Sequence, residues 1–218
     1  TMTQGLFNRR LLGMTEMLAV LVAAFVASPA LAKSTPPATS QLTASSVDTS
    51  MCSMPQVSQP FLSANDTNWY TLASGQTPGN FNGAGWTLTG GAKIITTPLA
   101  NGQVRQVLDL PAGSQAVSPN ICVSTDYPTA RTMVQNAAGT DIAYAVAYDG
   151  TKSWNKPKPA GQISGPGNGW SLSDPFQVHP GNLAGWQIVQ FTFAASAGDN
   201  GNSDAEMYNF YIDPRMKA

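Results

Sequence analysis

The chain has 218 residues, with 11 Lys and Arg against 12 Asp and Glu and a net charge of −1 when its single His is neutral. That balance offers no cluster of cations able to displace counterions from phosphates, which argues against nucleic acid as a partner. Charged residues make up only 11% of the chain, well under the usual quarter. Neutral Ser, Thr, Asn, Gln and Gly take their place, a surface suited to hydrogen bonding with uncharged ligands such as sugars.

The N-terminus reads as a secretory address. Arg9 and Arg10 supply a positive start, an apolar run covers Leu18–Ala27, and Ser28-Pro29-Ala30-Leu31-Ala32 ends it with a small-x-small cleavage pattern. The run is shorter than the roughly 20 residues a membrane span needs. Residues 1–32 are therefore expected to be a cleaved signal peptide, with Lys33 the mature N-terminus, no membrane span in the mature form, and Thr1 outside the true start. The alternative is a retained helix of the pilin-filament kind. Arg9-Arg10, Gly13 and Glu16 match that pattern only loosely, and Pro29 cuts the helix short.

Residues 33–50 are rich in Ser, Thr and Pro and carry no aromatic residue. Such a segment buries too little apolar surface to offset its ordering entropy, so a flexible linker is expected. Residues 51–218 then form one domain. The two cysteines, Cys52 and Cys122, are expected to pair in an oxidising compartment.

Beyond residue 50, Gly and Pro punctuate short runs of β-branched and aromatic residues, the pattern of an antiparallel β-sandwich. Strands are predicted at Trp69–Leu72, Trp86–Thr89, Lys93–Thr97, Val104–Leu110, Ser114–Ser118, Arg131–Asn136, Asp141–Asp149, Ser171–Ser173, Trp186–Ala194 and Glu206–Asp213. Ile142, Tyr144, Val146 and Tyr148 alternate with Ala143, Ala145 and Ala147, giving one bulky face and one flat face. Ile188-Val189 breaks alternation in the next apolar run, which predicts a β-bulge there. Tyr208, Phe210 and Ile212 are expected on one face of the last strand, opposite Met207, Asn209 and Tyr211. Five prolines between positions 150 and 185 predict an irregular region without a continuous central strand.

The chemistry is sparse. The lone His179 precedes Pro180-Gly181 and reads as a turn residue, no G-x-S-x-G elbow exists, and no His/Cys cluster could hold a transition metal. Glu206 is the only Glu beyond the signal peptide, so a paired-carboxylate hydrolase would need scattered Asp residues to meet in space. No cofactor is expected beyond a structural Ca²⁺, for which Asp199, Asn202, Asp204 and Glu206 are the oxygen-bearing candidates. Lys152, Lys156 and Lys158 form the one basic stretch and read as a solvated loop. Asn65-Asp66-Thr67 is a glycosylation sequon, read as a turn. Among five tryptophans, Trp86 and Trp186 fall in strand patterns and are expected in the core. Trp154 and Trp170 fall in Gly/Pro-rich loop and are the candidate ligand-binding residues.

Gly79-Asn80-Phe81-Asn82 followed by Gly85-Trp86-Thr87-Leu88-Thr89-Gly90 resembles the opening strand of galactose-binding-like jelly-roll domains, the fold of many carbohydrate-binding modules. Val107–Gly113 is similar to their second paired strand and turn, and Met207–Ile212 to their closing strand. The Cys52-x-x-Pro55 opening resembles that of uncharacterised secreted bacterial proteins. The resemblance implies an all-β jelly-roll fold and carbohydrate as partner. It carries over no ligand residue, and Asn82 and Tyr208-Asn209 replace acids associated with a structural Ca²⁺. The expected function is a secreted, non-catalytic binding module for glycan or cell-wall polysaccharide, extracellular or cell-wall associated. A structural subunit of a surface layer or filament, and a hydrolase with an unrecognised carboxylate site, are the alternatives.

Overall fold

A computed structural model describes residues 47–136, 141–165, 169–178, 185–195 and 204–214. All of them belong to one compact unit, Leu42–Ala218. The expected signal peptide, most of the linker, His179, Asp199 and Asn202 lie outside the described residues.

Thirteen strands are described: β1 Thr71–Leu72, β2 Thr87–Thr89, β3 Lys93–Pro98, β4 Val104–Leu110, β5 Gln115–Val117, β6 Ile121–Val123, β7 Thr129–Asn136, β8 Asp141–Tyr148, β9 Lys158–Ser164, β10 Ser171–Leu172, β11 Phe176–Gln177, β12 Gln187–Ala195 and β13 Ala205–Asp213. They form two antiparallel sheets. The larger runs β10-β7-β13-β4-β3, with β1 beside β13 and β11 beside β7. The smaller runs β2-β5-β12-β8-β9, with β6 beside β12. Packed face to face, they make the expected jelly-roll sandwich. No described helix is long and apolar enough to cross a membrane.

The core lies between the sheets. Ile142, Tyr144 and Val146 of β8 point inward beside Phe191 and Phe193 of β12, as their alternation requires. From the other sheet Phe210 reaches Phe193 at 5.2 Å between ring centroids and Phe191 at 5.0 Å, both edge to face. Trp86 stacks on Phe193 and receives Phe81, so the opening segment caps this aromatic cluster. Trp86 is buried, as its strand pattern implies.

A second, smaller cluster lies on the far face of the larger sheet, where Phe61, Tyr70 and Tyr211 pack edge to face. The Asp66 carboxylate there accepts bonds from the Tyr70 hydroxyl and the Asn68 amide and pairs with Arg131. Burial alone would raise that carboxyl; the hydrogen bonds and the guanidinium charge outweigh burial and hold it below the ordinary carboxylate value. Asn65 stands exposed on the adjoining turn.

Four expectations need correction. β12 keeps continuous register with β8 from Val189 to Ala195, so no bulge sits at Ile188-Val189. The alternation breaks because β12 is central and buried on both faces. The extra residue lies in the neighbouring line instead, between Val117 and Ile121, where the Ser118 hydroxyl accepts the Phe191 amide. β13 does carry a bulge: Asn209 takes φ 54 and shifts register between Tyr208 and Tyr211. Met207 therefore joins Phe210 and Ile212 in the core cluster, and Tyr208, part of the same cluster, also meets Trp170 and Arg105. The region from 150 to 185 holds the expected strand at Ser171–Leu172 and two that were not expected, β9 and β11; β9 tolerates Pro159 because it is an edge with a register shift at that point, in keeping with the expectation of no central strand there. Ile121–Val123, given no strand by its pattern, pairs with β12.

Candidate functional site

A shallow pocket of about 290 Å³ lies at one end of the sandwich. Three chain segments build it. After β6 the chain turns at Ser124-Thr125-Asp126-Tyr127, with the Ser124 hydroxyl accepting the Asp126 amide at 3.2 Å and the Ser124 carbonyl accepting the Tyr127 amide at 3.0 Å. Such side-chain-to-backbone bonds favour turns over strand continuation. Pro128 then accepts the Val178 amide, which braces the turn from behind.

The second segment is Gly185-Trp186, immediately ahead of β12. Gly185 has φ +87, and a Cβ there would meet nothing. The glycine thus serves the backbone turn that aims Trp186, not a close approach. Trp186 is half-buried and meets the buried Tyr127 ring at 5.8 Å, tilted by 56°. The sequence pattern placed Trp186 in the core; it packs against the core with one side and lines the pocket with the other. The third segment is Met54-Pro55, held near β6 by the disulfide Cys52–Cys122, which bridges 70 positions of sequence. Pro214, just past β13, completes the lining.

The site therefore presents two aromatic rings, two hydroxyls, one carboxylate and an aliphatic wall. The Tyr127 phenol is pushed up to about 12, first by burial and then by the neighbouring Asp126 charge. It stays neutral across physiological pH and can donate a hydrogen bond. Apolar ring faces beside a few converging polar groups are the usual make-up of a small-molecule site.

Trp154 and Trp170, the two tryptophans singled out by sequence, are not brought together. Trp154 lies past the C-terminal end of β8, half-buried in a turn in which its amide bonds to the Thr151 carbonyl. Trp170 directly precedes β10 of the larger sheet, whereas Trp154 follows β8 of the smaller sheet. Trp170 packs edge-on against Tyr208 at 4.8 Å, and Arg105 lies over the Tyr208 ring at 5.9 Å. The Trp170 indole nitrogen is buried without a hydrogen-bond partner among the described residues. Lys152, Lys156 and Lys158 are exposed.

Of the oxygen-bearing residues suggested for Ca²⁺, Asp204 is exposed at the start of β13 and Glu206 is half-buried, directly across from Asp109. Asp109 itself pairs with Lys93 at 3.5 Å. Among the described residues no three His, Cys, Asp or Glu side chains converge as a metal-binding group. Asn82 and Asn209, standing where the resemblance expects acids, accept backbone amides instead, Asn82 from the nearby Ala84 and Asn209 from Gly79 across the fold.

No family model matches the chain, and no curated protein does. Solved structures of similar arrangement include the C-terminal CBM6 of LamC, a marine laminarinase from Zobellia galactanivorans, at 16% identity over 58% of this chain and 90% of that one, TM-score 0.39. CsCBM6-3 from Clostridium stercorarium, in complex with cellobiose, is 15% identical over 57% of this chain and 85% of that one, TM-score 0.32. A family two carbohydrate esterase from Cellvibrio japonicus is 6% identical over 59% of this chain and 33% of that one, also at 0.32. The described strands themselves form a two-sheet antiparallel sandwich. Scores of this size describe a loosely shared strand arrangement.

Proposed function

We propose that this domain is a non-catalytic module that binds carbohydrate in the pocket between Met54, Tyr127 and Trp186. The supporting observation is the pairing of a half-buried indole with a neutral, buried phenol beside the polar turn Ser124-Thr125-Asp126. Sugar C–H faces pack on aromatic rings, and hydroxyl, phenol and carboxylate groups satisfy the sugar hydroxyls. Trp154 and Trp170 serve as secondary contacts at most, since each lies away from this pocket.

The test is retention of oligosaccharides on a glycan array by native protein and by Trp186→Ala, Tyr127→Ala, Trp154→Ala and Trp170→Ala. The pocket variants are expected to weaken binding about 30-fold, as truncation of a central aromatic anchor does. Native protein that retains no sugar, or pocket variants that bind like native, would remove this function.

The proposal extends to location. A Cys52–Cys122 disulfide fits an oxidising compartment, and export with cleavage after Ala32 would bring the chain there. Mass spectrometry of the exported protein is expected to find Lys33 at the N-terminus; intact residues 2–32 would overturn cleavage.

A further inference from the structure

We propose that the Cys52–Cys122 disulfide is the positioning element of the pocket: it is the covalent tie that holds the Met54–Pro55 wall in place, so occupancy of the pocket depends on oxidation of this pair. The dependence of binding rests on the carbohydrate reading above; the positioning of the wall does not.

Apart from half-buried Pro55 and Val57, the wall has few other ties. Met51 is 60% and Met54 71% exposed, so neither side chain gains much from burial. Among the described residues the Cys52 amide bonds only backward to Thr49, within the same segment. The first backbone bonds to the body come at Ser58, which exchanges amide and carbonyl with Tyr70 at 2.9 and 2.8 Å. Met54 and Pro55 therefore hang between that bridge and the disulfide.

The other sulfur sits where it can set the pocket's shape. Cys122 belongs to β6 and pairs with Ile188 of β12. Trp186 is two residues before Ile188, and the Ser124–Tyr127 turn follows directly on β6. One covalent link thus joins the wall to the two strands that carry the opposing rings. A dithiol reductant delivers two electrons and two protons to the disulfide, leaving thiols at Cys52 and Cys122 and becoming a disulfide itself. The chain before Ser58 then loses its tie and recovers the conformational freedom that ordering had removed. No strand includes residues 51–57, and the phenylalanine core lies elsewhere, so the sandwich itself remains.

The test compares native protein, protein reduced with dithiothreitol, Cys52→Ser/Cys122→Ser, and Met54→Gly/Pro55→Gly with the disulfide intact. Hydroxyl-radical footprinting of Tyr127 and Trp186 reads the wall without any ligand. Retention of xylan, β-glucan and galactan oligosaccharides reads binding, and far-UV dichroism reads the fold. Labelling of both rings is expected to rise several-fold in the reduced protein and in both variants. Retention should fall by about tenfold or more, with dichroism unchanged and labelling restored on reoxidation. Unchanged labelling after reduction overturns the proposal. If loss of the disulfide unfolds the domain, the glycine variant decides: raised labelling supports the wall, and native-like labelling overturns it. Native protein that binds none of the oligosaccharides, with the labelling change intact, sinks the carbohydrate reading and leaves the positioning role standing.

Discussion

Asn209 shows how one residue sets a whole strand's phase. Its left-handed φ of 54 inserts an extra position into β13, and the Asn209 side chain accepts the Gly79 amide at 2.7 Å. The Gln76 side chain grips the next residue, accepting the Phe210 amide at 3.0 Å and donating to its carbonyl at 3.3 Å. Asn209→Gly keeps the backbone and is expected to cost about 1 kcal/mol for the lost bond. Asn209→Val adds left-handed strain of about 1–3 kcal/mol; urea midpoints of the two variants separate these effects. Asp66 is the other decisive single residue. Removing it costs Arg131 its ion-pair partner but leaves the Ser173 carbonyl as acceptor for its guanidinium, so the loss is expected to fall below the roughly 3–5 kcal/mol of a fully buried, unpaired charge. Its carboxyl is held below the ordinary value, so the stability it contributes is present above the unfolded carboxylate range and disappears as pH falls through the folded value. The Asp66→Asn unfolding curve should accordingly converge on native at low pH. Of these two residues, Asn209 was legible only as a turn-prone letter inside an apolar run, because the φ it adopts depends on Gly79, 130 positions away.

At the level of elements, β13 and β4 place Glu206 directly across from Asp109. Burial first, then the Asp109 charge, raises the Glu206 carboxyl; burial likewise raises Asp109, against the pull of Lys93. A carboxyl raised by folding contributes stability that is complete below its unfolded value and is lost as pH rises through its folded value. Glu206→Gln is therefore expected to raise the melting temperature at neutral pH and to lose that advantage near pH 4, a sign opposite to that of Asp66. Thermal scans across this window check it. Strand β8 was legible from its period-two alternation, and β3, β4 and β13 from runs of six residues or more rich in β-branched, apolar and aromatic residues between turn signals. β6, β9 and β11 were not. β6 and β11 are three and two residues long and exist only through long-range pairing with β12 and β7. β9 carries Pro159 and Gly161, which local propensity counts against a strand. The pocket was hidden for the same reason: Trp186 heads an apolar run and looks like core. The local signal that could have found it is Ser124-Thr125-Asp126-Tyr127, an aromatic residue closing a polar turn.

For the whole molecule, the disulfide closes a loop of 70 positions. The chain-entropy estimate gives about 4 kcal/mol for a loop of that length. Cys52→Ser/Cys122→Ser is expected to unfold at clearly lower urea with an earlier thermal midpoint while staying folded at room temperature. Equal midpoints would mean the unfolded chain is not held by this link. Pairing of the two cysteines was legible from parity alone; its place beside the pocket was not, since that follows from β6 lying against β12.

The borders of both sheets carry a further consequence. β9 is interrupted by Pro159, β3 ends at Pro98, and β2, β10 and β11 are each three residues or fewer. Borders broken in this way offer an incoming chain no long ladder of free amides and carbonyls to extend. Concentrated solutions of the oxidised domain should accordingly resist fibril growth, with thioflavin fluorescence flat over days, and any assembly of copies would have to use faces rather than rims.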